Sequence, residues 1–284
     1  MKTKFKDVLN AEEYFFSNEI GDIEEGDSGE LLIATNKDNI RKKYLVKHYH
    51  VDCACNEYVS SKLAKAVNAN YPECKLFDLS ECKDSEHFKT EYVVGIEWLD
   101  ELKCYAPEKD IVTNPEDYYK YMCLAALFGD FDGFEAMCSN GKLYKIDNAC
   151  GFGASLFTLA NISRKKVMPA IRSIMAGQDE ELIYEKLLGE IKEESLRIVE
   201  NSIASLPRQL KLELELVGKN GGTKGEEIYK QTLYDFTQIQ QDYIDEILDN
   251  LTAIYPEFMR EHYQKYIDGA KHACIIFILK QERQ

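Results

Sequence analysis

The most constraining feature of this sequence is an ordered run of structural signals between residues 114 and 147. Asn114-Pro115-Glu116-Asp117 is typical of a helix start, because a polar cap, an early proline and acidic side chains all suit the positive end of a helix. The helix is expected to run to about Phe128 and to stop at Gly129. The acidic loop GDFDGFEAMCSNG follows, and then the short strand Leu143-Tyr144-Lys145-Ile146, which leads into Asp147.

Acidic side chains in this run suit metal and phosphate chemistry. Asp147 stands between an apolar strand and the turn-forming Asn148-Ala149-Cys150-Gly151-Phe152, a position that fits a metal ligand. An aspartate that only forms a local turn is the alternative. Asp130 and Asp132 lie in the loop after Gly129, where either could instead be a solvated turn residue.

The first hundred residues predict a small sheet with one helix. Residues 29–36 and 43–49 are apolar and β-branched, and the turn-prone Asn36-Lys37-Asp38-Asn39 between them indicates a hairpin. Residues 56–67 carry apolar side chains at three- and four-residue spacing, which is typical of a helix. Two more strands are expected around 76–79 and 92–98.

Lys47 and Glu57 form a candidate pair within this part of the chain. Lys47 projects from the apolar strand, where an unpaired ammonium group is costly, so a partner is expected. Glu57, in the first turn of the next helix, is the natural candidate; the alternative is an edge-strand lysine that points into water. Phosphoryl transfer from ATP needs a lysine, its carboxylate partner, an acceptor-facing carboxylate and an acidic metal ligand, and Lys47, Glu57, Asp132 and Asp147 supply these in order.

Beyond about residue 155 the pattern becomes helical. Amphipathic spacing predicts helices over 179–206, 225–252 and 256–280, with breaks at Pro207, Gly221-Gly222 and Pro256 and a surface loop over 219–225. The expected fold class is therefore α+β and bilobal: a small N-terminal antiparallel sheet plus one helix over 1–100, and a larger, mainly helical C-terminal lobe over 101–284 that carries the catalytic and metal loops.

Composition excludes several classes of protein. A formal charge of −15 argues against a nucleic-acid-coating surface. The apolar runs are much shorter than the roughly 20 residues of a transmembrane helix, and charges throughout the N-terminal segment argue against a Sec-type signal. The nine scattered cysteines are typical of reduced thiols, so we expect a cytoplasmic protein; delivery into a host cell by a non-Sec route stays open.

Two basic triplets stand out in this acidic chain, Arg41-Lys42-Lys43 and Arg164-Lys165-Lys166. The simplest interpretation is solvated surface charge. If both triplets lie on one face, they predict a binding site for a polyanion such as an inositol phosphate, an anionic lipid headgroup or a phosphoprotein.

Four segments in order resemble a known group of enzymes. YLVK (44–47), CNEYVSSKLAKAVN (55–68), LFGDFDGF (127–134) and KIDNACGF (145–152) resemble HipA-like and CtkA-like bacterial kinases and, more distantly, phosphatidylinositol 3- and 4-kinases. The resemblance covers roughly residues 25–155. It implies a protein-kinase-like fold, ATP with Mg²⁺ or Mn²⁺ as cofactors, and an atypical bacterial kinase, in the manner of an effector, that phosphorylates protein Ser or Thr.

The resemblance also implies roles for individual residues. Lys47 would contact the ATP phosphates and pair with Glu57, Asp132 would face the acceptor, and Asp147 would bind the metal. Trp98 and its neighbours Ile96, Glu97 and Leu99 would form the interlobe hinge that holds adenine.

The catalytic loop departs from the family pattern. Asp132 is followed by Phe134 and Met137 where the family has His and Asn. A thioether is a poor ligand for magnesium, so Asp130 is the first choice for the second metal contact, with Glu135 and Asn140 as alternatives. Other functions therefore stay open: a pseudokinase that binds nucleotide as a scaffold, a kinase-fold enzyme that transfers AMP or glutamate, and a lipid kinase.

Overall fold

The computed structural model describes residues 5–18, 31–47, 51–80, 82, 93–130, 136–148, 151–152, 169, 172–173, 176–255 and 257–283. Within these ranges the first hundred residues form a six-stranded sheet with one long helix. The strands are β1 (Val8–Asn10), β2 (Tyr14–Ser17), β3 (Leu31–Asn36), β4 (Lys43–Lys47), β5 (Cys74–Asp78) and β6 (Val94–Glu97), and the helix is α1 (Val51–Ala66). The strand order is β1-β5-β6-β4-β3-β2.

The sheet is antiparallel except at one edge. There β1 runs parallel to β5, with Val8 opposite Leu76. The four strands predicted from the sequence correspond to β3 to β6, with ends shifted by at most two residues. Strands β1 and β2 were not predicted, because acidic residues interrupt the apolar pattern of this segment.

The hairpin between β3 and β4 forms as predicted. The Asn36 side-chain oxygen accepts hydrogen bonds from the backbone N–H groups of Asp38 (3.1 Å) and Asn39 (2.9 Å). This local pattern is why asparagine favours turns. The hairpin places Lys47 at the end of β4, opposite Val94 of β6.

Helix α1 packs between the sheet and the helical part of the molecule. It begins at Val51, five residues before the predicted start, so Glu57 lies in its second turn. Its Tyr58, Val59 and Leu63 side chains are fully buried. They belong to a large hydrophobic cluster that contains residues from both sides of position 100.

The remaining elements form a small sheet and a set of helices. Strands β7 (Lys103–Cys104), β8 (Ala136–Ser139) and β9 (Lys142–Lys145) pair antiparallel. The helices are α2 (Asp117–Phe128), α3 (Glu180–Thr237), α4 (Gln241–Thr252) and α5 (Glu257–Gln281). Within the part of the chain that the structure describes, no helix is both long and apolar enough to cross a membrane.

Helix α2 ends where the sequence predicts. Gly129 adopts a left-handed conformation (φ 63°), and its N–H closes the helix on the Ala126 carbonyl at 3.2 Å. The start differs, because Asn114 does not cap the helix. Its side chain instead accepts a hydrogen bond from the Leu143 N–H at 2.8 Å and donates to Asp117 at 2.6 Å, which ties the start of α2 to β9.

Helix α3 corrects two predictions about the C-terminal half. It continues through Pro207, because Leu206 and Leu210 beside it are buried in the core and this packing compensates for the lost backbone hydrogen bond. The break expected at Gly221-Gly222 is confirmed as a sharp kink at Gly222 (φ 57°), where the chain reverses, but the residues around it are helical and the expected loop over 219–225 does not form. The Tyr229 hydroxyl consequently reaches back to the Leu210 carbonyl at 3.2 Å.

Candidate functional site

Lys47 and Glu57 meet at the junction of the six-stranded sheet and α1. The Lys47 Nζ lies 2.9 Å from the Glu57 Oε1, and the two side chains are only 9% and 2% exposed. The partner expected for Lys47 is therefore in place. Each group offsets the cost of burying the other, because either one alone would be costly in this environment.

Asp147 completes a three-residue cluster. Its Oδ1 lies 3.3 Å from the Lys47 Nζ, although the two residues are 100 positions apart in the sequence. The Asp147 side chain is 57% exposed, so its carboxylate can meet a ligand from solvent while Lys47 stays anchored on Glu57. Asp147 has φ 60°, a left-handed conformation that aspartate tolerates better than most residues.

Asn148 extends this cluster and was not identified from the sequence. Its Nδ2 donates to the Glu57 Oε2 at 3.4 Å, and the residue is almost fully buried. Glu57 is thus held by Lys47 on one oxygen and by Asn148 on the other. The signal available in the sequence was a polar residue directly after a candidate metal ligand.

Asp130, the residue expected to be a second metal ligand, has an ammonium group as its neighbour. The Asp130 Oδ2 lies 3.2 Å from the Lys145 Nζ, and both side chains are 1% exposed. The structure therefore places this carboxylate inside a buried ion pair. Sequence reasoning missed Lys145. This lysine lies two positions from the apolar Leu143 and on the same buried face of β9, and a lysine in an apolar strand was also the signal that identified Lys47.

One turn of α5 contacts three segments of the site. The Tyr263 hydroxyl donates to the Asn56 side chain beside Glu57 at 2.5 Å, and the Tyr266 hydroxyl donates to the Leu127 carbonyl at 2.9 Å. The His262 Nε2 donates to the Phe152 carbonyl at 3.2 Å, while its Nδ1 accepts from the Ser195 hydroxyl at 3.0 Å. Burial lowers the pKa of His262 to about 4, so this imidazole is neutral near pH 7.

The predicted hinge connects the two sheets. Glu97 ends β6, and Trp98 and Leu99 lead toward β7. The Trp98 N–H donates to the Lys43 carbonyl at 3.1 Å, and its indole N–H donates to Asp100 at 3.0 Å. This is the expected place for an interlobe hinge, and adenine binding by these residues stays a prediction.

Several predicted site residues lie elsewhere or outside the described part of the chain. Asp132 and Glu135 fall outside the residues that the structure describes. Met137 lies within strand β8, opposite Tyr144, and Asn140 lies in the exposed turn that follows. Met137 is consequently a strand residue, whereas the family pattern would place a loop asparagine there.

The two basic triplets cannot be compared with each other directly. Arg41, Lys42 and Lys43 are exposed at the end of the β3–β4 hairpin. Arg164, Lys165 and Lys166 fall outside the described residues. A shared polyanion-binding face stays a prediction.

The described donor set fits a metal ion that is held mainly by a nucleotide. Among the described residues, no three His, Cys, Asp or Glu side chains converge on one point. Asp147 offers one exposed carboxylate beside Lys47. Magnesium takes about six oxygens and usually keeps several waters and phosphate oxygens, so one protein carboxylate with ATP is a workable site.

Comparisons with known proteins show the fold. No family model matches the chain, and no curated protein matches it. The chain is similar to the crystal structure of the Helicobacter pylori proinflammatory kinase CtkA, with a TM-score of 0.52 and 13% identity over 94% of this chain and 95% of that one. A structure of the Golgi casein kinase with Mn and ADP bound gives a TM-score of 0.42 and 12% identity over 90% and 71%. The fold is protein-kinase-like, as predicted.

Proposed function

We propose that this chain is an ATP-dependent phosphotransferase that uses Mg²⁺ or Mn²⁺. The observation that carries the proposal is the position of Lys47, which touches Glu57 at 2.9 Å and Asp147 at 3.3 Å. A buried lysine fixed by one carboxylate and aimed at a second, exposed one is the arrangement that phosphoryl transfer requires. A purely structural ion pair has no need of the exposed third member.

Each residue then has a distinct role. Lys47 binds phosphate oxygens, Glu57 holds Lys47 in position, and Asp147 supplies the carboxylate for the metal. When bound, the divalent ion neutralises charge on the phosphates. Asp132 faces the acceptor hydroxyl, and Glu97, Trp98 and Leu99 hold the adenine.

The proposed acceptor is a protein Ser or Thr. The sequence resemblance to CtkA-like and HipA-like kinases and the fold similarity to a proinflammatory kinase support this choice. Transfer to a lipid, transfer of AMP or glutamate, and nucleotide binding without transfer are the alternatives. Phosphoryl transfer, AMP transfer and binding without transfer each predict a different fate for the label on ATP.

The test follows binding and transfer separately. The purified chain is incubated with γ-labelled and α-labelled ATP, with and without Mg²⁺ or Mn²⁺, and its melting temperature is measured under the same conditions. Lys47→Met and Asp147→Asn should lose the metal- and ATP-dependent rise in melting temperature. Lys65→Met, which removes a half-exposed lysine of α1, is the matched control and should keep this rise.

The outcomes separate the alternatives. Metal-dependent transfer of the γ-label supports the proposal, and Asp132→Ala should then bind ATP but lose transfer. Transfer of the α-label would identify AMP transfer, and binding without transfer would identify a scaffold. If wild type binds no ATP with either metal, the assignment of the site is wrong.

We also propose that a polyanion binds the basic triplets and regulates activity. The support is the exposed position of Arg41, Lys42 and Lys43 in an acidic chain. Added inositol phosphate should then raise the melting temperature of wild type more than that of a variant with these three residues changed to alanine. Equal responses would contradict the proposal.

A further inference from the structure

We infer that Lys145 is a positioning residue that joins the two loops of the proposed site. The inference rests on the proposed function, because it concerns how Asp147 is aimed at a metal and how the chain enters the segment that contains Asp132. Its physical basis is a buried ammonium group that makes three hydrogen bonds to these two loops.

The hydrogen bonds of Lys145 account for its whole donor capacity. An ammonium group has three N–H bonds. The Lys145 Nζ lies 3.2 Å from the Asp130 Oδ2, 2.8 Å from the Ile146 carbonyl oxygen and 2.9 Å from the Asp147 carbonyl oxygen. One side chain therefore connects Asp130, the second residue after α2, to two successive carbonyl groups of the metal loop.

These contacts stabilise an unusual backbone conformation at Asp147. Its φ of 60° is sparsely populated by residues other than glycine, and such conformations persist only where the surroundings hold them. By drawing the Ile146 and Asp147 carbonyls to one point, Lys145 fixes the direction of the turn. The Asp147 side chain then faces Lys47 and solvent.

Both ends of the connection are anchored in regular structure. Lys145 pairs with Ala136 in the β8–β9 ladder. The Asp130 N–H donates to the Ala125 carbonyl at the end of α2 at 3.0 Å. The ion pair thus sets the spacing between α2 and β9 at the point where the chain departs toward Asp132.

A buried ion pair also stabilises the fold, so stability and positioning must be measured apart. Lys145→Met leaves the Asp130 carboxylate buried without this charge partner, which is strongly destabilising. The double variant Asp130→Asn/Lys145→Met removes both charges, and replacing a whole buried pair is much less costly. If Lys145 acts by positioning, the double variant should recover stability without recovering the geometry of the metal loop.

The first measurement uses protein without metal or nucleotide. The Gly151 and Phe152 N–H groups donate to the Asn148 and Phe128 carbonyls, so their hydrogen exchange reports opening of this turn. Relative to amides within α2, exchange of these two should be faster in the double variant than in wild type, because the turn opens more easily without Lys145. Lys62→Met, which removes another buried lysine, in α1, is the matched control and should speed the exchange of all these amides by a similar factor, without a selective effect at Gly151 and Phe152.

The second measurement is the Mn²⁺ concentration that gives half of the ATP-dependent rise in melting temperature. Substituting a residue that orients a metal ligand typically lowers metal affinity by about 10- to 100-fold. The double variant should therefore need roughly tenfold more Mn²⁺ to reach the midpoint. Lys62→Met should lose stability and keep the wild-type midpoint.

The two measurements distinguish failure of the inference from failure of the proposed function. A wild-type midpoint in the double variant, together with unchanged relative exchange at Gly151 and Phe152, would overturn the positioning role. If wild type itself shows no response to Mn²⁺ and ATP, the proposed function fails, and hydrogen exchange alone decides the role of Lys145. If the double variant does not fold, Asp130→Asn/Lys145→Leu, which also removes both charges and the Lys145 donors, replaces it in both measurements.

Discussion

Two buried ion clusters share helix α1, and they differ in what they leave exposed. The site cluster joins Lys47, Glu57 and Asp147. A second cluster, which we call the Asp7 cluster, joins Asp7, Tyr58, Lys62 and Lys75. In it the Asp7 carboxylate lies 2.8 Å from the Lys62 Nζ, 2.5 Å from the Lys75 Nζ and 3.1 Å from the Tyr58 hydroxyl.

Exposure separates the two clusters. The Asp7, Lys62 and Lys75 side chains are 10%, 7% and 11% exposed, and at the edge of the cluster Lys75 also contacts Glu73, whose side chain is 36% exposed, at 3.1 Å. In the site cluster the Asp147 side chain is 57% exposed. The two clusters therefore differ in one carboxylate, which is buried at Asp7 and more than half exposed at Asp147, and we interpret this exposure as the mark of a candidate ligand site.

The Asp7 cluster connects the N-terminal segment to the helices. The Asp7 N–H donates to the Asn250 side chain in α4 at 3.0 Å, and its carbonyl accepts from the Leu76 N–H at 2.9 Å. Burial by itself would raise the pKa of Asp7, but the hydrogen bonds and charges of Lys62 and Lys75 outweigh it and lower that pKa. We interpret this cluster as structural.

The largest effect on stability is expected for Asp7→Asn. The change keeps the size of the side chain but leaves the Lys62 and Lys75 ammonium groups buried without their shared carboxylate. Removing one partner of a buried ion cluster costs about 3–5 kcal/mol, and this loss should appear in urea unfolding at pH 7.

A neighbouring residue supplies the control for Asp7→Asn. Lys6 pairs with Glu246 at 3.8 Å, and the two side chains are 80% and 51% exposed. Lys6→Ala should change the free energy of unfolding by less than about 1 kcal/mol. If Asp7→Asn costs no more than Lys6→Ala, the cluster does not stabilise the fold.

Acid should destabilise the packing of His262 against Phe152 and Ser195 at a higher pH than it destabilises the Asp7 cluster. The pKa of His262 is about 4 in the folded chain, against an ordinary value of 6.5. The unfolded chain therefore takes up a proton that the folded chain refuses, and stability is lost as the pH falls from about 6.5 toward about 4. A shift of this size corresponds to about 3 kcal/mol. The lowered pKa of Asp7 acts only below its ordinary value of 3.8.

The measurement compares urea unfolding of wild type and His262→Gln between pH 7.5 and pH 4.5. The difference between them should shrink with acidification, because only wild type carries the imidazole that disfavours folding at low pH. The exposed His272, on the same helix, provides the control variant His272→Gln, which should follow wild type. Parallel curves for wild type and His262→Gln would contradict the burial argument.

Local pattern predicted the parts of this molecule that depend on neighbours in the sequence. The hairpin around Asn36, the end of α2 at Gly129 and the need of Lys47 for a partner all follow from a few adjacent residues. The helix through Pro207 could not be predicted this way, because packing of Leu206 and Leu210 decides it.

A local sequence pattern also could not predict the side-chain clusters that form between residues far apart in the chain. Asp7 meets Lys62 and Lys75, and His262 meets Phe152, only because the fold brings β1, α1, β5 and α5 together. Lys145 is the exception. Its place on the same face as Leu143 is the signal that also identified Lys47. The strand is only four residues long, however, so the sequence pattern draws attention to Asp147 after it and not to a lysine within it.

The smallest effect on stability, and the sharpest test of the comparison, is expected for Asp147→Asn. Asparagine tolerates the left-handed conformation at this position, and Lys47 keeps its contact with Glu57. Because the Asp147 side chain is more than half exposed, its loss of charge should change the free energy of unfolding by less than about 1 kcal/mol. The same variant should lose the rise in melting temperature caused by Mn²⁺ and ATP, whereas Asp7→Asn should keep that rise from a lower starting temperature. If instead Asp147→Asn is as unstable as Asp7→Asn, the Asp147 carboxylate is a structural partner of Lys47, and exposure does not distinguish the two clusters.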